Sequence, residues 1–327
     1  MTSYQNFIGI DIAKETMSVS PDSQHPFTVQ QNAAGWENCL KQLAQYGCDP
    51  SRTLVVMEAT GPYSLKPARM LYEAGYQVSL VNPLQSHYFA RTLLYNSKTD
   101  QRDAQMLAAF GRQFEPRSWQ PAPPIREAIY QCLLQRDRLI RVRVQIKNQL
   151  GALRSGSEDS GSAAMRYEPL LDAIKVQIKA VDKELKVLLE MDSPYRENAR
   201  LLLSIKGFGI VTVGWLLVLT HNFAFTRSGK HLASFCGLVP HARESGTSIK
   251  GKKRVRFAGN ERLRSALYAA TVSAGKHNPA IKVFYERLRE RGKPVKVARI
   301  AAARKLVHMA WGVIRWGQPF ESGLAAA

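Results

Sequence analysis

The spacing of apolar residues changes at a proline-rich segment, residues 121–124, and this change does most to limit the possible folds. Before it, short continuous apolar runs alternate with segments that repeat apolar residues every three or four positions. After it, the second pattern dominates. Continuous runs of this length predict buried strands, whereas the three-and-four spacing predicts helices. We therefore expect a mixed α/β part followed by a largely α-helical part.

The strands of the first part are predicted at residues 7–12, 53–57 and 77–82. Residues 17–20 and 25–30 are further strand candidates, and helices are predicted over residues 36–46 and 63–74. Thr99 is a suitable N-cap for one more helix, because its hydroxyl can accept a hydrogen bond from the first turn. Together these elements predict one mixed sheet covered by helices.

Two long stretches in the middle of the chain have helical spacing, residues 125–153 and residues 171–188. The second has nearly three heptads of coiled-coil pattern, and the polar, turn-like residues 156–162 separate the two. An antiparallel coiled-coil hairpin and a pair of ordinary bundle helices both fit this pattern. We expect three domains, a sheet domain at 1–120, the helical hairpin at 121–195 and a basic domain at 196–327.

The charge of the chain is strongly positive, with 46 Lys and Arg against 26 Asp and Glu, a net of +20. Residues 242–315 alone have 19 basic and 4 acidic side chains. Such an excess favours a polyanionic partner, DNA or RNA, over an anionic membrane surface. No apolar run is long enough to span a bilayer, the N-terminus lacks a signal-peptide pattern, and the four cysteines lack metal-ligand spacing. We expect a cytoplasmic protein with no membrane partner.

Four carboxylates stand out in the first part of the chain. Asp11 interrupts an otherwise apolar strand, where a charge is costly unless it is paired or bound to a metal. Glu58 ends another strand, and Asp100 and Asp103 share one helix face. Taken singly, Glu58 and Asp100 also fit ordinary surface positions. Taken together, the four side chains predict a site for Mg²⁺, with Mn²⁺ as the alternative.

The surroundings of these carboxylates resemble a known family. The segments Gly9-Ile-Asp-Ile-Ala-Lys14, Glu58-Ala-Thr-Gly61 and Lys98-Thr-Asp-Gln-Arg-Asp103-Ala104 are similar to motifs of the DEDD transposases of the insertion-sequence one-ten family, which includes site-specific DNA invertases. The resemblance implies an N-terminal RuvC-like domain of the ribonuclease H type, with Asp11, Glu58, Asp100 and Asp103 as the quartet that binds Mg²⁺. It also implies a C-terminal transposase domain.

A serine in the basic part matches the second motif of that family. The segments Gly237-Leu-Val-Pro240 and Glu244-Ser-Gly246 resemble the region around the nucleophile of the transposase domain, and Ser245 has its position. Ser248 is the nearest competitor. Without the resemblance, a solvated loop serine is the default interpretation. His241 is either a general base or a loop histidine that contacts phosphate or solvent.

Cations surround this serine in the sequence. They are suited to contact the phosphates of a nucleic acid, and binding of this kind depends strongly on salt. The predicted contacts are Arg243, Lys250, Lys252, Lys253, Arg254, Arg256, Arg262 and Arg264.

The combined interpretation is a transposase or site-specific recombinase that cuts and rejoins DNA through a phosphoserine intermediate. The resemblance further implies a structured noncoding guide RNA and a homodimer or homotetramer. Three alternatives stay open: an invertase of one DNA segment, a Holliday-junction-type metal-dependent endonuclease that uses water, and a nucleic-acid-binding protein on a decayed scaffold.

Overall fold

The computed structural model describes residues 4–21, 25–59, 61–93, 99–156, 161–245, 249–255 and 259–321. Its internal contacts divide the chain into two compact units, Met1–Pro121 and Ala122–Ala327. The first contains a sheet with helices, and the second contains the two long helices together with the basic part of the chain.

The first unit is built on one five-stranded sheet. Its elements are β1 (Asn6–Ile12), β2 (Thr16–Ser20), β3 (Phe27–Gln30), α1 (Ala33–Gln45), a 3₁₀ turn (Pro50–Arg52), β4 (Thr53–Glu58), α2 (Pro62–Glu73), β5 (Gln77–Val81), α3 (Pro83–Thr92) and α4 (Asp100–Phe114). The strand order is β3-β2-β1-β4-β5. Strands β1, β2 and β3 form an antiparallel meander, whereas β4 runs parallel to β1 and β5 runs parallel to β4.

The two faces of this sheet are covered by different helices. One face packs Ile8, Ile10 and Met57 against apolar residues of α1 and α2. The opposite face packs Phe7 and Val56 against α3 and α4. Side chains alternate between the faces of a strand, so every second residue of β1 and β4 faces α4.

The second unit is mostly helical. Its elements are α5 (Pro124–Gly156), α6 (Gly161–Met191), α7 (Ser193–Leu203), α8 (Ile210–Leu219), α9 (Gly229–Phe235), β6 (Pro240–Ser245), β7 (Ile249–Val255), α10 (Glu261–His277), α11 (Pro279–Glu290) and α12 (Val295–Trp316). Helix α8 is apolar along nearly its whole length and is buried in the core of this unit. None of the helices in the described parts of the chain is long and apolar enough to cross a membrane.

Helices α5 and α6 lie antiparallel along each other. The Nε of Arg136 donates to Oδ1 of Asp182 at 2.5 Å, and Arg154 pairs with Glu168 at 2.6 Å nearer the tip. At the base, residues of both helices belong to the core of the unit. Towards the tip, Leu150 and Leu171 form a small separate cluster. The base is therefore part of a helical bundle, while the tip is held by contacts between the two helices.

The structure confirms the arrangement of a mixed α/β part followed by a mostly α-helical part, and it differs from the sequence predictions in two elements. Helix α3 has no counterpart among the predicted elements: Pro83, which directly follows the strand predicted at 77–82, is its first residue, and the side chain of Asn82 caps the helix by accepting from the Leu84 N–H at 2.9 Å. The segment around Ser245, for which a solvated loop is the default interpretation from sequence, contains an antiparallel pair of strands, β6 and β7.

Candidate functional site

Asp11 and Glu58 lie near the carboxyl ends of the adjacent parallel strands β1 and β4, which form one edge of the sheet in the first unit. In the parallel pair of β1 and β4, Ile10 is opposite Met57, so Asp11 and Glu58 follow one residue beyond the last matched pair. Strand alternation places both on the α4-facing side, in line with Phe7 and Val56. Both residues are half-buried. The two strand-borne carboxylates are therefore neighbours on one face.

The other two carboxylates are brought to this edge by α4. A Cβ added to Gly9 would lie 1.8 Å from the carbonyl oxygen of Ala104, so the backbone of α4 packs directly on β1 at this glycine. The helix begins at Asp100, with the Thr99 hydroxyl accepting from the Arg102 N–H. Asp100 and Asp103 thus lie in the first turn, close to the end of β1.

The electrostatics of Asp11 show that the four carboxylates are near one another. The pKa of Asp11 is raised to about 6, first because burial disfavours its charged form and then because of the negative charges of Asp103 and Asp100. Glu58 contributes a smaller rise, and a hydrogen bond from the backbone of Ile12 opposes it. Asp11 is therefore the carboxylate at which the charges of the quartet converge.

Glu58 has a neutral partner. The hydroxyl of Ser86, on α3, lies 3.0 Å from Oε2 of Glu58 and is suited to donate to it. Ser86 is 1% exposed. Sequence reasoning missed this residue because it did not predict α3; the signal was the pair Asn82-Pro83, a typical helix start.

The quartet has the donor atoms of a metal site, but its side chains are not arranged closely enough to bind a metal ion. Carboxylate oxygens are the ligands that Mg²⁺ and Mn²⁺ prefer, and a cation would relieve the repulsion at Asp11. Across the described residues, however, no group of three or more histidine, cysteine, aspartate or glutamate side chains could hold a metal ion as arranged. The four side chains would have to move closer together around a cation.

Ser245 lies in the second unit, at the end of β6. It pairs with Ile249, the first residue of β7, and it is the last residue of β6. His241 is in the same strand, opposite Arg254. Ser248 lies outside the described residues. The nucleophilic role of Ser245 stays a prediction.

The predicted nucleic-acid contacts fall into two groups. Arg243, Lys250, Lys252, Lys253 and Arg254 are on the β6–β7 hairpin, and Arg256 lies outside the described residues.

The other two contacts, Arg262 and Arg264, are in the first turn of α10 and are half-buried. The guanidinium of Arg262 lies 5.2 Å from the ring centroid of Trp215, an arrangement typical of a cation–π contact. One terminal nitrogen of each arginine is buried without a hydrogen-bond partner in the described part of the chain.

Comparison with known proteins gives two matches to family models. A DEDD transposase model of the IS110 type matches residues 8–154, and a model described as the transposase IS116/IS110/IS902 family matches residues 199–286. These ranges contain the quartet and Ser245, respectively.

Individual relatives extend the match along the whole chain. The pilin gene-inverting protein of Moraxella bovis is 31% identical over 322 residues, which cover 97% of this chain and 98% of that protein. The transposase for insertion sequence element IS1328 of Yersinia enterocolitica is 25% identical over 96% of this chain and 98% of its own length.

A third relative matches only in part. The uncharacterized 43.6 kDa protein of insertion element IS110 from Streptomyces coelicolor is 32% identical over 48% of this chain and 37% of that protein. Because two transposase models match in order and a relative above 30% identity is matched almost end to end, this chain belongs to the IS110 family of transposases, which are DNA recombinases.

Proposed function

We propose that this recombinase cuts and rejoins DNA through a covalent bond between Ser245 and a DNA phosphate, assisted by Mg²⁺ at Asp11, Glu58, Asp100 and Asp103. The observation that carries the proposal is the convergence of four carboxylates on one sheet edge in a chain whose other family motif contains a serine. The negative charges of Asp103 and Asp100 raise the pKa of Asp11, and a bound cation would relieve that repulsion.

The first unit supports a RuvC-like, ribonuclease H-type assignment. Its sheet has an antiparallel meander of β1, β2 and β3 extended by the parallel strands β4 and β5. Asp11 on the central strand and Glu58 on the next one are where such a domain would hold its cation. The proposal includes three domains, with the limits 1–120, 121–195 and 196–327.

The chemistry assigned to Ser245 is a phosphoryl transfer. Its Oγ attacks the phosphorus of a DNA phosphodiester, the bond from phosphorus to one deoxyribose oxygen breaks, and that oxygen leaves as a free hydroxyl after taking a proton. The hydroxyl of a second DNA end then attacks the phosphoserine, which restores a phosphodiester and the serine. A bound Mg²⁺ would supply Lewis-acid stabilisation of the oxyanions.

The cations of the β6–β7 hairpin have the charge needed to neutralise the attacked phosphate. Arg243, Lys250 and Lys252 belong to the segment that contains Ser245, and positive charge beside a phosphodiester favours the transition state, in which negative charge builds up. The net charge of +20 also fits a second nucleic acid, and we include a structured guide RNA in the proposal.

Inversion of a DNA segment is the second candidate product. Its support is the match of 31% identity over 98% of the pilin gene-inverting protein of Moraxella bovis. Insertion of a mobile element is supported by the equally complete match, at 25% identity, to the transposase of IS1328. Both products follow from the same cutting and rejoining steps.

The test is a covalent-adduct assay. The full chain is expressed with its native flanking DNA, so that a cognate RNA copurifies, and is mixed with labelled DNA ends and Mg²⁺. The reaction is denatured and separated on a gel. We expect a DNA-linked protein band with the wild type and with Ser248→Ala, and no such band with Ser245→Ala.

Each alternative has its own result in this assay. An adduct that persists in Ser245→Ala and is lost in Ser248→Ala transfers the role to Ser248. Cleaved DNA without any adduct favours the metal-dependent endonuclease. Binding without cleavage, unchanged by Asp11→Asn, favours the nucleic-acid-binding protein.

A further inference from the structure

The buried hydroxyl of Ser86 differs in its acceptor from the buried hydroxyls of Ser64 and Ser79. The hydroxyls of Ser64 and Ser79 are suited to donate to backbone carbonyl oxygens, of Gly61 and Arg117. The Oγ of Ser86 lies 3.0 Å from Oε2 of Glu58, a side chain of the acidic quartet. Ser86 is nearly inaccessible to solvent, so water cannot replace this partner without a rearrangement.

The hydroxyl of Ser86 has two acceptors within reach and one proton. The second acceptor is the carbonyl oxygen of Pro83, also at 3.0 Å, a backbone contact that helical serines commonly make. Hydrogen bonds to an ionised acceptor are about twice as strong as bonds to a neutral one. Whenever Glu58 is ionised, the proton is therefore directed mainly to its carboxylate.

Helix α3 fixes the place of this hydroxyl. The Asn82 cap and Pro83 at the first helical position set the start of the helix directly after β5. Glu58 ends β4 and pairs with Val81 of β5, so the first turn of α3 begins beside Glu58. Ser86, in the fourth helical position, holds one carboxylate oxygen and leaves Oε1 for another partner.

We propose that Ser86 is a positioning residue, which orients the carboxylate of Glu58 for a divalent cation. The inference rests on the proposed metal site and adds to it a residue that is not itself a ligand. Groups that orient metal ligands typically change metal affinity by 10- to 100-fold when they are removed.

The experiment compares Ser86→Ala with Ser64→Ala in the full chain. Ser64 is a matched control because it is also 1% exposed, lies in the first turn of α2 and is suited to bond to the carbonyl of Gly61 rather than to a carboxylate. Melting temperature is measured across titrations of Mg²⁺ and of Mn²⁺ alone. We expect Ser86→Ala to raise the metal concentration for half-maximal stabilisation about tenfold, and Ser64→Ala to change it less than twofold.

Glu58→Gln separates this inference from the proposal beneath it. If Glu58 is a ligand, Glu58→Gln weakens the metal response, and adding Ser86→Ala to it produces little further change. A wild type without any metal response overturns both the metal site and the role of Ser86. A normal response in the wild type, weakened by Glu58→Gln but equal in Ser86→Ala and Ser64→Ala, overturns the role of Ser86 alone.

Discussion

At the scale of single residues, the charge of Asp11 opposes folding when no cation is bound. Its pKa is about 6 in the folded chain against an ordinary value of 3.8, so the folded state favours the protonated form. The contribution of Asp11 to stability is highest below pH 3.8, falls as the pH rises to about 6, and stays low at neutral pH. A neutral residue in place of Asp11 should therefore stabilise the chain at neutral pH.

We expect Asp11→Asn to raise the free energy of unfolding by about 1–2 kcal/mol at pH 7 in a chelator. The rise in the pKa of Asp11 from 3.8 to about 6 corresponds to about 3 kcal/mol, and solvent screening of this partly exposed group reduces that figure. The control is Asp49→Asn, because hydrogen bonds from Ser51 lower the pKa of Asp49 and removing its charge should give no gain. Thermal unfolding checks both variants.

Saturating Mg²⁺ should reverse this order, since only the wild type keeps a full set of carboxylates for the cation. A destabilised Asp11→Asn variant in chelator would contradict the electrostatic account of the site. Equal stability of the wild type in chelator and in saturating Mg²⁺ would contradict the proposed metal site.

The sequence was sufficient to single out four carboxylates that lie near one another in the fold, and insufficient to predict the residue that contacts Glu58. A carboxylate such as Asp11 stands out in an apolar strand because burying a charge is costly, and that cost can be recognised without a structure. Ser86 does not stand out, because serine is common in every environment. Its importance depends on the position of α3 beside Glu58, which only the packed structure shows.

At the scale of elements, Gly9 determines how closely α4 approaches the sheet. A methyl group at this position would lie 1.8 Å from the oxygen of Ala104 and 2.4 Å from the nitrogen of Ala108. These neighbours are backbone atoms, which cannot move aside singly. The whole helix must shift, and Asp100 and Asp103 must shift with it.

We therefore expect Gly9→Ala to destabilise the chain by about 3 kcal/mol, at the upper end of overpacking effects, and to abolish the response to Mg²⁺. Gly275→Ala is the control: no atom lies within 4 Å of its added Cβ, and alanine favours the α10 helix. Melting curves with and without Mg²⁺ measure both effects. A stable Gly9→Ala variant with a normal metal response would show that α4 does not set the site.

Elements with a clear apolar period were predictable, and the others were not. The three-and-four spacing correctly indicated α5 and α6, and continuous apolar runs indicated β1 and β4. The hairpin of β6 and β7 has Lys, Arg, Gly and Ser in place of an alternating apolar face, so it has no strand signal. Its pairing depends on backbone hydrogen bonds that composition does not encode.

At the scale of the whole molecule, α6 has a second heptad-spaced face beside the one that packs on α5. Leu171, Ile178 and Leu185 are buried in the hairpin. A second row of residues, exposed and mostly apolar, lies beside them. It takes the position just before each buried one and the position three residues further on. This row consists of Leu170, Ala173, Gln177, Ala180, Glu184, Val187 and Met191.

We propose this row as the contact between copies in the homodimer or homotetramer that the family resemblance implies. Leu170, Val187 and Met191 are 52%, 54% and 68% exposed, which is unusual for apolar side chains at regular heptad positions. The row on the outer side of the helix instead includes Lys183 and Glu190, which suit solvent. A second helix with the same row would complete a coiled-coil seam.

The variant Leu170→Glu with Val187→Glu should therefore reduce the oligomer to a monomer at micromolar concentration without loss of helix content, because both side chains point away from the core of their own hairpin. Val176→Glu is the matched control, since Val176 is 62% exposed on the outer row, and it should leave the mass unchanged. Light scattering after gel filtration gives the mass, and circular dichroism gives the helix content. A monomeric wild type would refute the oligomer itself, and an oligomer intact in the double variant would move the contact to another surface.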